Sequence, residues 1–422
     1  MTKNPSGASH YNPKSASADL CELQNAVVIP LAPSSNPNNV KGGVKSSRLD
    51  EKFLQCRWSA VHSSKASLET VTDLTYIQQW SGKLSHQKGR YLFGGPIFKN
   101  FGHFLAESIH RTWAYETQEK KNNVNYRGVI LLPQNTKKLN FIQRLNYKLP
   151  PIFKETLHYL GIPKSKIKLL FSAKSFESLD IPQQASHFRS PVPINDSYKS
   201  YLLRCEKRNG IVSNVHNHKK VYVSRTHFSL RGAFAGESTL EALLKRNGFH
   251  IFYPEQHTLL QQLQTYKGAE EIVFAEGGAL HVLELLGELS ADIYIIARRP
   301  KSPAVFNAML EARVTKFMFF TAVITLPSLF VPKRSNRTAH GSAISLLNYN
   351  ELFEFLSKEL QIKVNISDIE EFKKATRRDV DLYYAHYKTL IPGDESVKAK
   401  AIQNFITQLR SLPDFLEHQF DN

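Results

Sequence analysis

One group of residues with the types and spacing of acid–base chemistry lies near position 100. Asn100 and Gly102 lead into His103, Glu107 follows four residues later, and Arg111 comes four later again. On a helix the last three side chains would share one polar face, and a histidine beside a carboxylate can act as a general base. A solvated ladder of charged residues has the same spacing. The pattern alone leaves both interpretations open.

A second group has the residue types that bind phosphate. Arg225 and Arg231 flank a loop that follows the apolar run VYVS. Guanidinium groups bind phosphate bidentately and stay charged, although two solvated loop arginines are also common in a basic protein. Glu255 comes directly after Pro254 at the end of another apolar run. A carboxylate there can accept hydrogen bonds from a ribose or can cap the next helix.

The third group combines two glycines with a predicted helix start. Glu276, Gly277 and Gly278 follow the apolar run EIVFA, and His281 lies just inside the helix that we expect next. Glycines let backbone N–H groups approach an anion, and a helix N-terminus favours negative charge. The alternatives are a tight turn that needs glycine for its backbone angles and a histidine that is merely packed on the surface.

Strands and helices alternate through residues 219–299, which contain the second and third groups. The runs VYVSR, HIFYP, EIVFAE and DIYIIAR are predicted to be strands, and ESTLEALLKRNG and LHVLELLGEL have apolar residues at helical spacing. This alternation predicts a parallel, Rossmann-like sheet, whose ligands bind beyond the carboxyl ends of the strands. Ser224, Arg225, Glu255 and the Glu-Gly-Gly segment are expected at those ends.

Three stretches of the chain carry a family resemblance. They are GGPIFKNFGHFLAESIHRTWA, then VYVSR followed by Arg231 and Glu237, and FYPEQHTLLQQLQTYKGAEEIVFAEGGALH. Together they span residues 91–298, and this region resembles glycosyltransferase family 61, which is often seen in bacterial capsule and exopolysaccharide loci. The resemblance implies two Rossmann-like domains that face each other across a cleft, the arrangement called GT-B.

The resemblance also implies an activity. The implied reaction transfers a sugar from a nucleotide-sugar donor to a surface polysaccharide or a lipid-linked glycan, with inversion at the anomeric carbon. The donor is expected to be UDP-linked. His103 would be the general base with Glu107 beside it, and Arg225, Arg231 and the backbone amides of Gly277 and Gly278 would stabilise the leaving diphosphate. The remaining substrate contacts would come from Asn100, Gly102, Arg111, Glu255, Glu276 and His281. No metal and no cofactor other than the donor would be required.

Composition is that of a folded enzyme with two cores. The chain has 422 residues, of which 41% are hydrophobic and 22% are charged. Its three cysteines are scattered, without a CxxC pair, so neither a disulfide framework nor a structural zinc site is expected. The first twenty residues have no apolar segment typical of a signal peptide. These features together predict a cytoplasmic location.

The net charge of +18 indicates an anionic partner. No nucleic-acid-binding motif is found, so we expect a nucleotide sugar, an acidic glycan or lipid headgroups instead of nucleic acid. An anionic membrane would attract the same charge, and peripheral contact with its inner face is expected. A non-catalytic basic scaffold for polysaccharide assembly remains an alternative, as does a phosphosugar or phosphate transferase on the same α/β fold.

Four regions are predicted along the chain. Residues 1–50 should form a loose tail with one strand at AVVIPLA, and residues 51–210 an acceptor-side α/β domain. The second domain, residues 211–335, should bind the nucleotide, and residues 336–422 should form helices that pack across both domains. The most apolar window, residues 317–331, is too short for a bilayer span and predicts buried strands.

In the first domain, RYLFGGPI, RGVILLP and IKLLF are predicted strands, whereas FGHFLAESIHRTWAYE and FIQRLNYKLPPIFKETLHYLG are predicted helices. The sequence Asp379-Val380-Asp381 has the DxD spacing that some glycosyltransferases use to hold a divalent metal ion. It lies in a helix-like stretch away from any strand end, so we do not expect a metal there.

Overall fold

The computed structural model describes residues 19–32, 41–45, 53, 55–59, 67–70, 81–134, 139–190, 193–213, 218–333, 335–416, 418 and 420. The chain divides into two compact units. Unit 1 contains Met1–Val212, His281–Leu289 and Val305–Arg313, and unit 2 contains Ser213–Leu280, Ser290–Ala304 and Val314–Asn422. Each unit has its own sheet with helices, so the predicted mixed α/β class is confirmed.

Unit 1 is built on a six-stranded sheet. Its strands are β1 (Leu20–Ala32), β2 (Lys41–Lys45), β5 (Ser85–Ile97), β6 (Gly128–Pro133), β7 (Ile167–Leu169) and β8 (Lys174–Pro182). Two further strands, β3 (Gln55–Ser59) and β4 (Ser67–Thr70), pair separately with each other. The strand order is β2-β1-β8-β5-β6-β7. Strands β8, β5, β6 and β7 are parallel to one another, whereas β1 runs antiparallel to both β8 and β2.

The N-terminal part of the described chain is more ordered than its composition suggested. We expected a loose tail with one short strand, but β1 is 13 residues long and pairs with β8 from Leu20 to Val28, and β2 adds a further strand. Leu23 and Val28 are buried in the core of the sheet. The polar residues Glu22 and Gln24 lie between the buried ones, and this alternation is typical of a half-buried strand.

The helices of unit 1 are shorter than the sequence indicated. They are α1 (Phe101–His103), which continues into a π-helical turn (Phe104–Ser108), α2 (Trp113–Asn122), α3 (Phe141–Leu145), α4 (Pro151–Tyr159) and α5 (Asp196–Arg208). The first predicted helix is interrupted by the π-helical turn and the residues after it. The second is interrupted at Pro150, because a residue that precedes a proline is disfavoured in the helical region.

Unit 2 contains the parallel sheet that the alternating pattern predicted. Its strands are β9 (Lys220–Val223), β10 (His250–Phe252), β11 (Glu271–Ala275), β12 (Asp292–Ile296) and β13 (Phe317–Phe320). All four pairings are parallel, in the order β10-β9-β11-β12-β13. This is the doubly wound order 2-1-3-4-5, in which the order reverses between the first and third strands. The reversal point here lies between β9 and β11.

Helices connect these strands along the chain. They are α6 (Glu237–Arg246), α7 (Leu259–Gly268), a 3-10 helix (Gly278–Leu285) and α8 (Pro303–Glu311); the 3-10 helix from His281 onward and α8 from Val305 onward belong to unit 1. The apolar window at residues 317–331 supplies β13 and β14 (Val323–Thr325), as expected, and β14 pairs with β15 (Ser345–Leu347). The predicted helical C-terminal region forms α9 (Tyr349–Leu360), α10 (Ile366–Thr389) and α11 (Glu395–Arg410). Among the described residues, no helix has the length and apolarity needed to cross a bilayer.

Gly94 in β5 has no room for a side chain, and this gives a first prediction. A Cβ atom there would lie 2.5 Å from Leu131 Cδ2 and 2.9 Å from Val129 Cγ1 in the neighbouring strand. We expect Gly94→Ala to lower the free energy of unfolding by about 1 to 3 kcal/mol, because the packed core must shift to admit the methyl group.

Gly341 provides the matched control, since a Cβ atom there would meet no atom within 4 Å. Gly341→Ala should leave the unfolding free energy within about 1 kcal/mol of wild type. Urea unfolding followed by circular dichroism measures both variants. Equal stability of the two variants would contradict the close packing of β5 against β6.

Candidate functional site

The first predicted group lies at the carboxyl end of β5 in unit 1. Asn100 is the N-cap of α1, and its side-chain oxygen accepts a hydrogen bond from the backbone N–H of His103 at 3.3 Å. The hydroxyl of Ser108 accepts a hydrogen bond from the backbone N–H of Phe98 at 3.2 Å. These contacts fix the helical turn to the end of the strand. Asn100 therefore positions His103, whereas its contact with a substrate stays a prediction.

His103 and Glu107 form a close pair. The distance from His103 Nδ1 to Glu107 Oε1 is 2.5 Å, and the side chains are 40% and 0% exposed, respectively. A carboxylate only accepts hydrogen bonds, so Nδ1 carries the proton and Nε2 is left as the basic nitrogen of a partly exposed ring. The buried carboxylate excludes the solvated ladder that the spacing also allowed. The pair has the geometry of an oriented general base.

Arg111 is placed differently from the prediction. Its side chain is buried, donates a hydrogen bond to the backbone carbonyl of Pro182, and lies 5.7 Å from the ring centre of Phe93. It therefore ties the segment after β5 to the end of the neighbouring strand β8. The structure gives Arg111 a role in positioning this segment, and does not support the predicted direct contact with a substrate.

The loop after β8 completes the surroundings of His103. The amide of Gln184 donates to the backbone carbonyl of Glu107 at 3.2 Å, and the ring of Phe188 packs edge-on against His103 at 4.9 Å. Sequence reasoning missed both residues because β8 had not been predicted. The carboxyl ends of the adjacent parallel strands β5 and β8 thus build one site.

His281 lies inside the 3-10 helix that begins at Gly278, and it belongs to unit 1. A Cβ atom on Gly102 would lie 2.9 Å from His281 Cδ2, so the glycine is required for the imidazole to pack against α1. The ring also packs against Phe188 at 6.1 Å and Phe306 at 5.0 Å. Gly102 and His281 therefore belong to the surroundings of His103.

A buried carboxylate lies next to His281. Glu284 is 3.7 Å from His281 Nδ1, 3.9 Å from His110 Nε2 and 3.8 Å from Arg313 Nη2. Burial alone would raise the pKa of Glu284, but the nearby His281 and the charge of Arg313 lower it below the usual value. Burial lowers the pKa of His110 to about 4, so this imidazole is neutral. The lowered pKa favours the ionised form of Glu284, which faces His281.

The second predicted group lies at the reversal point of the sheet in unit 2. The guanidinium of Arg225 donates to the backbone carbonyls of Gly232 at 3.1 Å and Arg231 at 3.4 Å. A Cβ atom on Gly277 would collide with this guanidinium. Gly277 is therefore needed for close packing between the ends of β9 and β11, and Gly278 begins the 3-10 helix that follows. Arg231 itself is exposed.

Glu276 uses both of its carboxylate oxygens within the protein. Oε1 accepts a hydrogen bond from Arg299 Nε at 3.1 Å, and Oε2 accepts from the backbone N–H of Arg298 at 2.7 Å and from the Ser302 hydroxyl. Burial would raise the pKa of Glu276, but Arg299 and Arg298 lower it below its usual value. This ionised carboxylate holds the segment after β12, and the predicted direct contact with a ligand is not supported.

Arg298 and Arg299 are functional candidates that the sequence analysis missed. Nε of Arg298 donates to the backbone carbonyl of Glu276 at 2.7 Å, and Nη1 donates to the carbonyl of Gly232, which also accepts from Arg225. The side chain of Arg299 is 47% exposed. The signal was available, since Arg298 ends the predicted strand DIYIIAR and Arg299 directly follows it. The carboxyl-end rule that selected Arg225 therefore applies to both.

Two carboxylates of α6 hold the loop that carries Arg225. Glu237 Oε1 accepts a hydrogen bond from the backbone N–H of Arg225 at 2.6 Å and from the Tyr222 hydroxyl at 3.1 Å. Glu241 accepts from the Thr226 hydroxyl at 2.8 Å. Burial raises the pKa of Glu237 to about 7, although its hydrogen bond from Arg225 opposes this shift.

Glu255 lies in a 3-10 turn after β10, at the same edge of the sheet. Its Oε1 is 2.5 Å from Nδ1 of His227, whose ring stacks on Tyr253 at 4.3 Å. The carboxylate therefore has a partner in the protein. Contact of its other oxygen with a ribose stays a prediction.

The structure brings Arg225, Gly277 and Glu276 together with Arg298 at one edge of the sheet in unit 2. The first group, with His103, lies in the other unit.

The DxD sequence lies on α10. Asp379 Oδ2 accepts a hydrogen bond from the backbone N–H of Gly236 at 2.8 Å, and Asp381 Oδ1 is 2.8 Å from His418 Nε2. In the part of the chain that the structure describes, no three histidine, cysteine, aspartate or glutamate side chains are grouped as metal ligands. The two aspartates thus have structural partners.

A family comparison bears on both sites. The family model described as Glycosyltransferase 61 matches residues 101–285. This range, somewhat less than half of the chain, includes His103, Glu107, Arg225 and Gly277. No curated protein matches the chain. The match supports the resemblance to glycosyltransferase family 61, and through that family it indicates glycosyltransferase activity.

The raised pKa of Glu237 predicts a pH effect on stability. The pKa is about 7 in the folded protein against an ordinary value of 4.5, so folding favours the protonated form. This contribution to the free energy of unfolding is fully present below pH 4.5 and is lost as the pH rises through about 7. The total loss is roughly 3 kcal/mol. Glu237→Gln should abolish this loss, because the amide keeps the acceptor oxygen and cannot ionise.

Urea unfolding at pH 5 and pH 8 measures the effect. The unfolding free energy of the wild type should fall between the two pH values by more than that of Glu237→Gln. Glu354→Gln, which changes an exposed carboxylate on α9, should behave as the wild type does. A parallel pH dependence of all three proteins would show that Glu237 titrates normally.

Proposed function

We propose that the protein is an inverting glycosyltransferase that transfers a sugar from a UDP-linked donor to a surface polysaccharide or lipid-linked glycan. The proposal depends most on the pair of His103 and Glu107, in which a buried carboxylate orients a partly exposed imidazole. The family match over residues 101–285 supports the general class. The donor, the acceptor, a capsule or exopolysaccharide role, and a GT-B arrangement are parts of the proposal.

In the proposed reaction His103 of unit 1 is the general base. Its Nε2 takes the proton from the acceptor hydroxyl while that oxygen attacks the anomeric carbon of the donor. The bond between this carbon and the diphosphate oxygen breaks, and the nucleoside diphosphate leaves with the bonding electron pair. Attack from the opposite side inverts the anomeric carbon. Glu107 keeps its hydrogen bond to Nδ1 and stabilises the imidazolium that forms.

The donor diphosphate would bind at the reversal point in unit 2. Arg225, Arg298 and Arg299 provide fixed positive charge at the ends of β9 and β12, and carbonyl and carboxylate partners hold their side chains in place. Preorganised cations stabilise charge on a leaving group without reorganisation during the reaction. Their presence supports a metal-independent mechanism, in which the arginines and the backbone amides of Gly277 and Gly278 replace a divalent ion. We place this reaction in the cytoplasm.

The donor proposal predicts that UDP raises the melting temperature with chelator present. Arg225→Ala should reduce this shift, and it should lower kcat/KM for a nucleotide sugar by the equivalent of about 2 to 4 kcal/mol. Arg225→Lys should restore only part of the loss, because one ammonium cannot replace a planar guanidinium. Differential scanning fluorimetry and steady-state kinetics measure the two effects.

Arg410→Ala, which removes an exposed arginine from α11, is the matched control and should retain the full UDP shift. Arg225 also bonds to loop carbonyls, so its variant should be compared with and without UDP. A lower melting temperature without UDP, combined with an unchanged UDP shift, would assign Arg225 a purely structural role. A shift that appears only with Mn²⁺ or Mg²⁺ would contradict metal independence.

The base proposal predicts that His103→Ala lowers transfer by roughly a hundredfold to ten-thousandfold while the UDP shift is retained. Glu107→Gln should also lower the transfer rate, because it removes the carboxylate that orients the ring and stabilises the imidazolium through Nδ1. Product analysis of a donor panel, with steady-state kinetics, measures these effects.

His158→Ala, which changes an exposed histidine of α4, should transfer sugar at the wild-type rate. Turnover of His103→Ala within a few-fold of wild type would exclude His103 as the base. Release of a nucleoside monophosphate instead of a diphosphate would assign phosphosugar transfer, and binding of glycan without any turnover would assign a scaffold.

A further inference from the structure

An ordered but uncovered apolar helix lies in unit 1. Phe141, Ile142 and Leu145 of α3 are 75%, 67% and 69% exposed. Large apolar side chains grouped in this way mark interaction sites in soluble proteins. The three residues lie within five positions, so they form one patch at the tip of the helix.

The helix is held in place without burial of its apolar side chains. Asn140 and Gln143 form a capping box, with reciprocal hydrogen bonds of 2.8 Å and 3.0 Å. Two residues after the helix, Tyr147 packs edge-on against Phe171 at 5.4 Å, just past the end of β7. A five-residue helix is not stable alone, so these contacts keep it formed. The patch is therefore present before any partner binds.

The surrounding segment is strongly basic. Residues 139–174 contain seven lysines and arginines, and Glu155 is their only acidic residue. Lys148 lies three residues after the helix and is exposed. Lys164, in the 3-10 turn before β7, and Lys168, within this edge strand of the sheet, are exposed as well. Apolar tips beside lysines are the features of a segment that inserts into the headgroup region of an anionic bilayer. Lysine is depleted at protein–protein interfaces.

We propose that α3 and the basic residues beside it dock unit 1 on an anionic membrane surface, with Phe141, Ile142 and Leu145 inserted between the lipid headgroups. Charge complementarity selects this partner, since the chain carries a net charge of +18 and seven of its cations lie in this segment. The membrane contact expected from the net charge thereby acquires a defined surface. The docking itself requires no glycosyltransferase activity.

Vesicle flotation with the full chain tests the proposal. The wild type should float with vesicles that contain 30% phosphatidylglycerol, and far less with vesicles of phosphatidylcholine alone. Phe141→Ser combined with Ile142→Ser and Leu145→Ser should weaken binding at least about tenfold. Ile366→Ser, Leu382→Ser and Ile391→Ser, which change equally exposed residues of unit 2, should bind as the wild type does.

A second set of variants tests the charge. Lys148→Ala with Lys164→Ala and Lys168→Ala should weaken binding by about a hundredfold at low salt, and high salt should have the same effect on the wild type. Lys363→Ala, Lys374→Ala and Lys400→Ala, which also remove three exposed lysines, should lose much less. An equal loss in the two lysine sets would overturn the proposal in favour of non-specific attraction.

Two further outcomes would also overturn it. The first is failure of the wild type to float at low salt. The second is that the serine substitutions at α3 change only the sedimentation mass, which would assign the patch to a protein contact. The UDP-induced melting shift of the α3 variant should equal that of wild type, because the helix lies in the other unit from the arginines. This shift separates failure of the membrane proposal from failure of the donor proposal.

Discussion

Buried carboxylates hold each of the loops that carry the candidate chemistry. Glu107 lies under His103, Glu276 bonds to the segment after β12, and Glu237 accepts the backbone N–H of Arg225. Burial of a charge is costly unless hydrogen bonds compensate it, and each of these carboxylates receives protein donors at short distance. Moving any of these loops would leave a buried carboxylate without its donors. The geometry at the strand ends depends on this constraint.

The same arrangement separates acidic from basic groups. Glu107, Glu237 and Glu276 point into the protein, while His103 and Arg299 remain partly exposed above them. The partly exposed groups beside these buried carboxylates are therefore a basic nitrogen in unit 1 and a cation in unit 2, although Glu255 at the end of β10 is also exposed. This separation also explains why the residue types in the sequence did not reveal their roles, since a glutamate that binds a ligand and one that positions an arginine look alike in a sequence.

The parallel sheet of unit 2 could be predicted because its strands are buried on both faces. Such strands have continuous apolar runs that can be recognised in the sequence. The residues that follow each run then lie at the carboxyl end of a strand, where ligands of parallel sheets bind. In unit 1, β1 and β8 are half-buried strands with polar residues between the apolar ones, and β8 was missed. Gln184 and Phe188, which follow β8, were missed with it. The contact between Gly102 and His281 joins residues far apart in the sequence, and no local pattern records such a contact.

Packing within unit 1 connects the exposed helix α3 with the turn that carries His103. Helix α4 begins six residues after α3 ends, and its Phe153 stacks on Phe104 at 3.9 Å, with ring planes only 3° apart. Phe104 directly follows His103 in the chain. The aromatic stack therefore links the segment that follows α3 to the turn that carries the candidate base. If α3 docks on a membrane as proposed, the lipid-contacting helix and His103 belong to the same unit, so a lipid-linked acceptor is the first acceptor to test.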